Sequence, residues 1–300
     1  MRLSIVICTR NDNYNPEALP RFYDHLSKML LKETELIVVD WNTPEGSMKL
    51  RYLLRKGSEK WPSKQYTRVI EIPPSLHRTL TNSDKLNLFE YTGKNVGIRR
   101  ANGGVILATN PDILLPKGLL QWILSRDSFD SNTFYRAVRQ DFTWSEERVV
   151  NVRINNLLRS YNTGWDYFNP KGILSGMLNY YQWKRLHPRL SIPFTNAAGD
   201  FLLMHRELWS MFRGYLELPG VGSSGYHRVD SYLPIMMVLW GLKQEILPWR
   251  ITHINHGMSN TGRPVVKEVD DIGERILKGE IVRNGRDWGL GEHFLSETII

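Results

Sequence analysis

The stretch "GGVILATNPDILLP" (Gly103–Pro116) decides how this chain is read. Its apolar, β-branched run Val105–Thr109 has the pattern of a strand buried on both faces. Asn110 and Pro111 cut the run off, Asp112 places a carboxylate at the cut, and Ile113–Leu115 resumes the apolar character. An acid between two hydrophobic stretches has two explanations. It caps the segment "ILLPKGLL" that follows, or it stands past a strand end to hold a divalent cation, because hard oxygen ligands suit Mg²⁺ and Mn²⁺. Local sequence leaves both open.

Toward the N-terminus the same pattern recurs at intervals. "LSIVIC" (Leu3–Cys8), "TELIVVDW" (Thr34–Trp41) and "TRVIEIPP" (Thr67–Pro74) read as strands. Helical spacing fills the gaps in "PEALPRFYDHLSKMLL" (Pro16–Leu31), "SMKLRYLLRK" (Ser47–Lys56) and "FEYTGKNVGIRRAN" (Phe89–Asn102). Unalternating strands separated by helices predict an α/β fold with a mostly parallel central sheet flanked by helices.

Toward the C-terminus, "GLLQWILS" reads as a helix and "TFYRAVRQDF" as a strand. Ser160–Trp183, rich in Gly, Asn and aromatic residues, has the composition of a segment that covers a site. "FTNAAGDFLLMHRELWSMFRGY" (Phe194–Tyr215) joins a turn, a short strand and a helix. "VDSYLPIMMVLWG" (Val229–Gly241) is a strong helix and "QEILPWRITHI" (Gln244–Ile254) a strand. No repeat or linker is evident. The expectation is one domain over residues 1–265, followed by a tail, 266–300, without a clear signal.

The chain has 300 residues, 41% of them hydrophobic and 23% charged, which is enough for a sizeable core and rules against wholesale disorder. Its net charge of +8 favours anionic partners. The basic residues are dispersed and no compact DNA- or RNA-reading motif occurs, so nucleic acid is not the expected one. The single cysteine, Cys8, excludes an internal disulfide and a cysteine-built zinc site. "MRLSIVIC" turns polar too soon for a signal sequence, and no stretch approaches the roughly 18–20 apolar residues of a spanning helix. A cytoplasmic chain is expected, with peripheral membrane contact left open.

In an open parallel sheet, ligands collect beyond the carboxyl ends of the strands. Polar groups stand at three predicted ends: "CTRND" (Cys8–Asp12), "VDWNTP" (Val39–Pro44) and "TNPD" (Thr109–Asp112). Asp40 can accept hydrogen bonds from a ribose or a base edge, or shape a turn with Asn42. Arg10 can offset phosphate charge. His253 and His256, in "RITHINHG", can supply imidazoles to a metal. A regular strand points them to opposite faces, so one ligand is expected rather than two. Asp230 is a helix cap or a general base, and Asp200 a turn residue or a grip on a polyol. "GKNVGIRRANGG" has neither a phosphate-loop nor a dinucleotide spacing. Its Arg99 and Arg100 meet phosphate or solvent.

Taken in order from Leu3 to His256, these pieces resemble the GT-A glycosyltransferases, most closely the family-two-like enzymes of the nucleotide-diphospho-sugar transferase superfamily. The resemblance rests on "SIVICTRND", "VVD", "KNVGIRRANGG", "NPD", "GDFLLMHRELW", "VDSYLP" and "THINH". It implies that residues 1–115 form a nucleotide-sugar half, with Thr9, Arg10, Asp40, Asn95, Arg99 and Asn110 at the donor and Asp112 at a metal-bridged diphosphate. Residues 116–265 would form the acceptor half, with Asp200 at the acceptor, Asp230 as base, and His253 or His256 completing the shell of an Mn²⁺ or Mg²⁺ ion. The implied activity is sugar transfer to a glycan or lipid-linked hydroxyl, with inversion. There are two departures from the family pattern. Asn110 replaces the first acid of D-x-D, and Val229 the Glu of a Glu-Asp pair. On these grounds an acid at position 110 is expected to preserve or strengthen cation binding. A non-catalytic sugar-nucleotide binder and a nucleotidyltransferase are the alternatives.

Overall fold

The computed structural model describes residues 2–12, 14–29, 33–58, 66–143, 180–218, 229–256 and 267–300. β1 (Leu3–Thr9), α1 (Ala18–Ser27), β2 (Thr34–Trp41), α2 (Leu50–Ser58) and β3 (Tyr66–Ile72) come first. A short α3 (Pro74–His77) precedes α4 (Glu90–Arg99), β4 (Val105–Thr109), β5 (Ile113–Leu114) and α5 (Lys117–Ser125). β6 (Thr133–Thr143), α6 (Tyr180–Leu186), β7 (Phe201–His205) and α7 (Arg206–Phe212) follow. α8 (Val229–Leu239), β8 (Lys243–Asn255), α9 (Lys267–Leu277) and β9 (Ser296–Ile299) close the series. Of the stretch expected to cover a site, residues 160–179 lie outside the described residues.

The strands form one sheet in the order β5-β8-β6-β7-β4-β1-β2-β3-β9. β4, β1, β2 and β3 run parallel, the predicted centre. β7 is antiparallel to β4 and β6, β6 is parallel to β8, and the edge strands β5 and β9 are antiparallel to their neighbours. Successive side chains of β1 serve opposite faces. Val6 and Cys8 pack with Trp41 and Val96 on the α4 side, while Ile5 and Ile7 pack with Phe22 and Leu119 on the other. This two-sided burial explains the unalternating strands.

The glycines of "GKNVG" let α4 sink onto the sheet. A Cβ on Gly97 would stand 2.5 Å from Val6 Cγ1, and one on Gly93 would overlap Cys8 Sγ. Their role is close helix–sheet contact rather than phosphate binding.

The C-terminal segment is part of the same body. β9 pairs with β3 from Arg68↔Ile299 to Glu71↔Ser296. Arg68 bridges it to the core, its Nε 2.6 Å from Glu297 Oε1 and its Nη1 3.0 Å from the fully buried Glu35. Four exposed or half-exposed residues carry no apolar signal, so ion pairing locates this strand where periodicity cannot. Among the described residues, no helix is long and apolar enough to cross a membrane.

Candidate functional site

The turn after β4 brings Asp112 to the carboxyl edge of the sheet. Its position is set by β5, which pairs with β8 at Ile113↔His253, and by the Ile254 N–H donating to the Asp112 carbonyl at 2.9 Å. The histidines therefore arrive opposite the acid. His256 Nε2 lies 2.8 Å, and His253 Nε2 3.5 Å, from Asp112 Oδ2. The two imidazoles converge, ring centroids 5.4 Å apart, because β8 ends at Asn255 and His256 has left the strand alternation. The expectation that the two imidazoles point to opposite faces fails for that reason.

Burial would raise the Asp112 carboxyl, but the hydrogen bonds and charges of His253 and His256 hold it well below the usual carboxylate range. The bond to Asp112 in turn raises His253 above the ordinary histidine value, against the opposing effect of burial. One carboxylate oxygen and two imidazole nitrogens lie within 4.8 Å of one another, a set that can hold a metal ion. Asp112 Oδ1 is buried with no hydrogen-bond partner among the described residues. Buried acceptors are normally paired, so this oxygen fits a cation. A mixed nitrogen–oxygen set suits Mn²⁺ better than Mg²⁺, which takes oxygen almost throughout.

A second pair of carboxylates stands beside this cluster. Asp200 precedes β7, and Thr109 Oγ1 donates to its carbonyl at 2.7 Å. Its Oδ1 accepts from Asn110 Nδ2 at 2.9 Å and its Oδ2 from Arg139 Nη1 at 2.9 Å. Asp230, in the first turn of α8, accepts the Gly199 N–H at 2.9 Å through Oδ2. Burial pushes both carboxyls above the ordinary aspartate value; the charge of Asp112 adds to the rise at Asp200, and that of Asp200 to the rise at Asp230.

Two fully buried cations that sequence reasoning missed hold this loop. Lys94 Nζ donates to the Gly199 carbonyl at 2.7 Å and to Glu90 Oε1 at 2.6 Å. Arg136 donates to the carbonyls of Phe194, Asn196, Ala198 and Phe201. Tyr215 Oη adds a bond to the Ala198 carbonyl at 3.1 Å. Each peptide flanking Gly199 is thus gripped by a buried cation. A Cβ at Gly199 would meet Tyr91 Oη at 3.0 Å. The only sequence signal was a charge inside an apolar pattern, in "FYRAV" for Arg136.

The ends of β1 and β2 are arranged differently. Thr9 stands opposite Asp40 in the parallel ladder. Asp40 accepts from Thr43 Oγ1 and, at 3.0 Å, from the Leu50 N–H at the start of α2. Burial raises its carboxyl, against these bonds. Asn42 takes a left-handed φ of 52°. Its Nδ2 and Arg10 Nη1 both reach the Asn87 carbonyl at 2.9 Å. Arg10 Nε also lies 2.9 Å from Asp12.

Two residues expected at the donor are bonded to other parts of the chain. Asn95 exchanges bonds with both backbone groups of Tyr215 and donates to Glu217 Oε1 at 2.8 Å. Arg99 donates to the carbonyls of Arg286 and Trp288. Arg100, read as facing phosphate or solvent, donates to the carbonyls of Gly289 and Leu290. These side chains fasten the C-terminal segment to α4.

No protein-family model and no curated protein sequence matches the chain. Solved structures do. A mannosyltransferase from Pyrobaculum calidifontis, in complex with GDP-Man and Mn²⁺, matches 87% of this chain and 58% of its own at 14% identity, with a TM-score of 0.50. S. aureus TarS 1-349, in complex with UDP-GlcNAc, matches 92% of this chain and 66% of its own at 13% identity, with a TM-score of 0.55. The chain therefore spans roughly three fifths to two thirds of the length of these solved chains. Parallel centre, antiparallel flank and strand-end acid together give this chain the GT-A fold of the nucleotide-diphospho-sugar glycosyltransferases.

Proposed function

We propose that the chain transfers a glycosyl group from a nucleotide-diphospho-sugar to an acceptor hydroxyl, of a glycan or a lipid-linked sugar, with inversion. The observation that carries this reading is the meeting of Asp112, His253 and His256 at the carboxyl edge of a GT-A sheet. A divalent cation held by these three residues supplies positive charge against the leaving diphosphate. Arg10 and Thr9, at the end of β1, line the donor side. The two solved relatives support the donor class, one being in complex with GDP-Man and Mn²⁺ and the other with UDP-GlcNAc.

On the acceptor side, Asp230 takes the proton of the incoming hydroxyl. Its buried carboxyl, raised above the ordinary value, is a stronger base than an exposed aspartate. Asp200 is less suited, because Asn110 and Arg139 occupy both of its oxygens.

The test is a panel of nucleotide-sugars scored by melting shift, with and without Mn²⁺, on wild type and Asp112→Ala. At a hundredfold excess over Kd, a ligand contributes about 2.7 kcal/mol to stability. At least one nucleotide-sugar should raise the wild-type Tm in the presence of Mn²⁺, and Asp112→Ala should abolish the Mn²⁺-dependent part. A wild type that responds to none of them, or an Asp112→Ala variant that responds fully, overturns the reading.

A further inference from the structure

The turn that presents Asp112 also carries Asn110, and Asn110 is committed to Asp200. The antiparallel pair Thr109↔Phe201 sets the ends of β4 and β7 side by side, so the residues just beyond them meet. Asn110 Nδ2 then donates to Asp200 Oδ1, and Arg139, reaching in from β6, donates to Asp200 Oδ2, both at 2.9 Å. The amide has one chemically sensible orientation here. Turned over, it would press its oxygen against a carboxylate oxygen at hydrogen-bond distance. Asn110 Oδ1 therefore faces away from Asp200, buried and with no hydrogen-bond partner among the described residues.

We propose that Asn110 and Asp200 have exchanged roles: the negative charge that a two-acid turn would carry beside Asp112 enters this site from the loop before β7, and Asn110 is neutral because it must donate to it. Only Asp112 then offers the cation a carboxylate directly. Asp200 acts at fixed range, as a charge held by Arg139, and it is neither a ligand nor the base. The exchange concerns the cation site of the proposed function and rests on that reading for its effect on metal, but the pairing of the two side chains does not.

Asn and Asp are nearly isosteric, so four proteins test it: wild type, Asn110→Asp, Asp200→Asn, and the double variant. Melting in EDTA reads the pairing without any ligand. Asn110→Asp sets two carboxylates face to face and should lower Tm by about 2–4 °C or more. Asp200→Asn removes the Arg139–Asp200 ion pair and should lower it as well. The double variant reinstates the bond with donor and acceptor interchanged, and should recover most of the loss. Titration with Mn²⁺ alone reads the charge. Asp200→Asn should weaken Mn²⁺ binding about tenfold or more, and the double variant should restore it, since the charge returns on the other residue.

An Asn110→Asp protein as stable in EDTA as wild type overturns the pairing. A double variant that binds Mn²⁺ as weakly as Asp200→Asn overturns the exchange of charge. A wild type that binds no Mn²⁺ sinks the metal reading and the charge exchange together, while the EDTA cycle still decides the pairing.

Discussion

The ends of β1 and β2 and the ends of β4 and β8 lie on the same edge of one sheet, and each offers a carboxylate after a buried strand. They differ in what the fold does with it. At β2, both oxygens of Asp40 are used by the chain itself, one by Thr43 and one by the N–H that begins α2. At β4, Asp112 faces two imidazoles through one oxygen and keeps the other buried and unpaired among the described residues. An acid past a strand end is thus no site in itself. What marks one is a polar group the fold has desolvated and not satisfied, because such a group costs free energy unless a ligand pairs with it. By that measure the candidate chemistry gathers at the turn after β4, where Asn110 and Asp112 each keep an oxygen buried and unpaired among the described residues, while the Asp40 turn, with both carboxylate oxygens spent on the chain, is a wall.

The largest effect expected from this contrast belongs to Asp230. Asn in its place keeps the bond to the Gly199 N–H and is an equally good helix cap. If Asp230 is the base, Asp230→Asn should lower transfer by roughly 10²–10⁴-fold while Tm and donor affinity hold. A near-normal rate would make Asp230, like Asp40, a carboxylate that only holds the chain, here at Gly199, and dissolve the distinction between the two edges.

Asp40 tests the other side. Removing its carboxylate leaves the Leu50 N–H unpaired and the Thr43 hydroxyl without its acceptor in a buried turn. Asp40→Ala should therefore cost about 1–3 kcal/mol of stability without ligand, seen as a lower Tm, with nucleotide affinity little changed. A loss of affinity at constant Tm would return Asp40 to the donor pocket and contradict the wall.

Local pattern was enough for β1 to β4 and for α1, α2 and α4 between them, because burial on both faces gives apolar runs without alternation. It failed where an element is short or its neighbours decide. β5 has two residues and β9 four, too few for any period, and both are held by partners distant in sequence. The histidines were expected on opposite faces because strand alternation was extended one residue past Asn255. Lys94 carried no reading of its own in the sequence, but the glycines on either side, Gly93 and Gly97, draw α4 so close to β1 that its ammonium ends inside, on the Gly199 carbonyl. Asn95 follows it inward. A side chain's address on a sunken helix depends on how far the helix sinks, and no window of ten residues contains that.

Asn95 belongs with Asp40 among polar groups satisfied by the fold, and its partner Glu217 gives the smallest and sharpest test. Glu217 accepts from Asn95 Nδ2 at 2.8 Å and from the Gly289 N–H at 2.7 Å, joining α4 to the C-terminal segment. Burial pushes its carboxyl up to about 7, against the lowering effect of those two bonds. An acid raised in the folded state holds its proton more tightly there than in the unfolded chain. Its contribution is greatest below the unfolded pKa of about 4.3 and is lost as pH rises toward 7. Wild-type Tm should carry a declining component across that window, and Glu217→Gln, which keeps an oxygen to accept both bonds, should remove it. Nucleotide affinity should not move, since Asn95 retains its partners. If Glu217→Gln instead weakens nucleotide binding with the pH profile of Tm unaltered, Asn95 communicates with the donor, and the line drawn between satisfied and unsatisfied groups is in the wrong place.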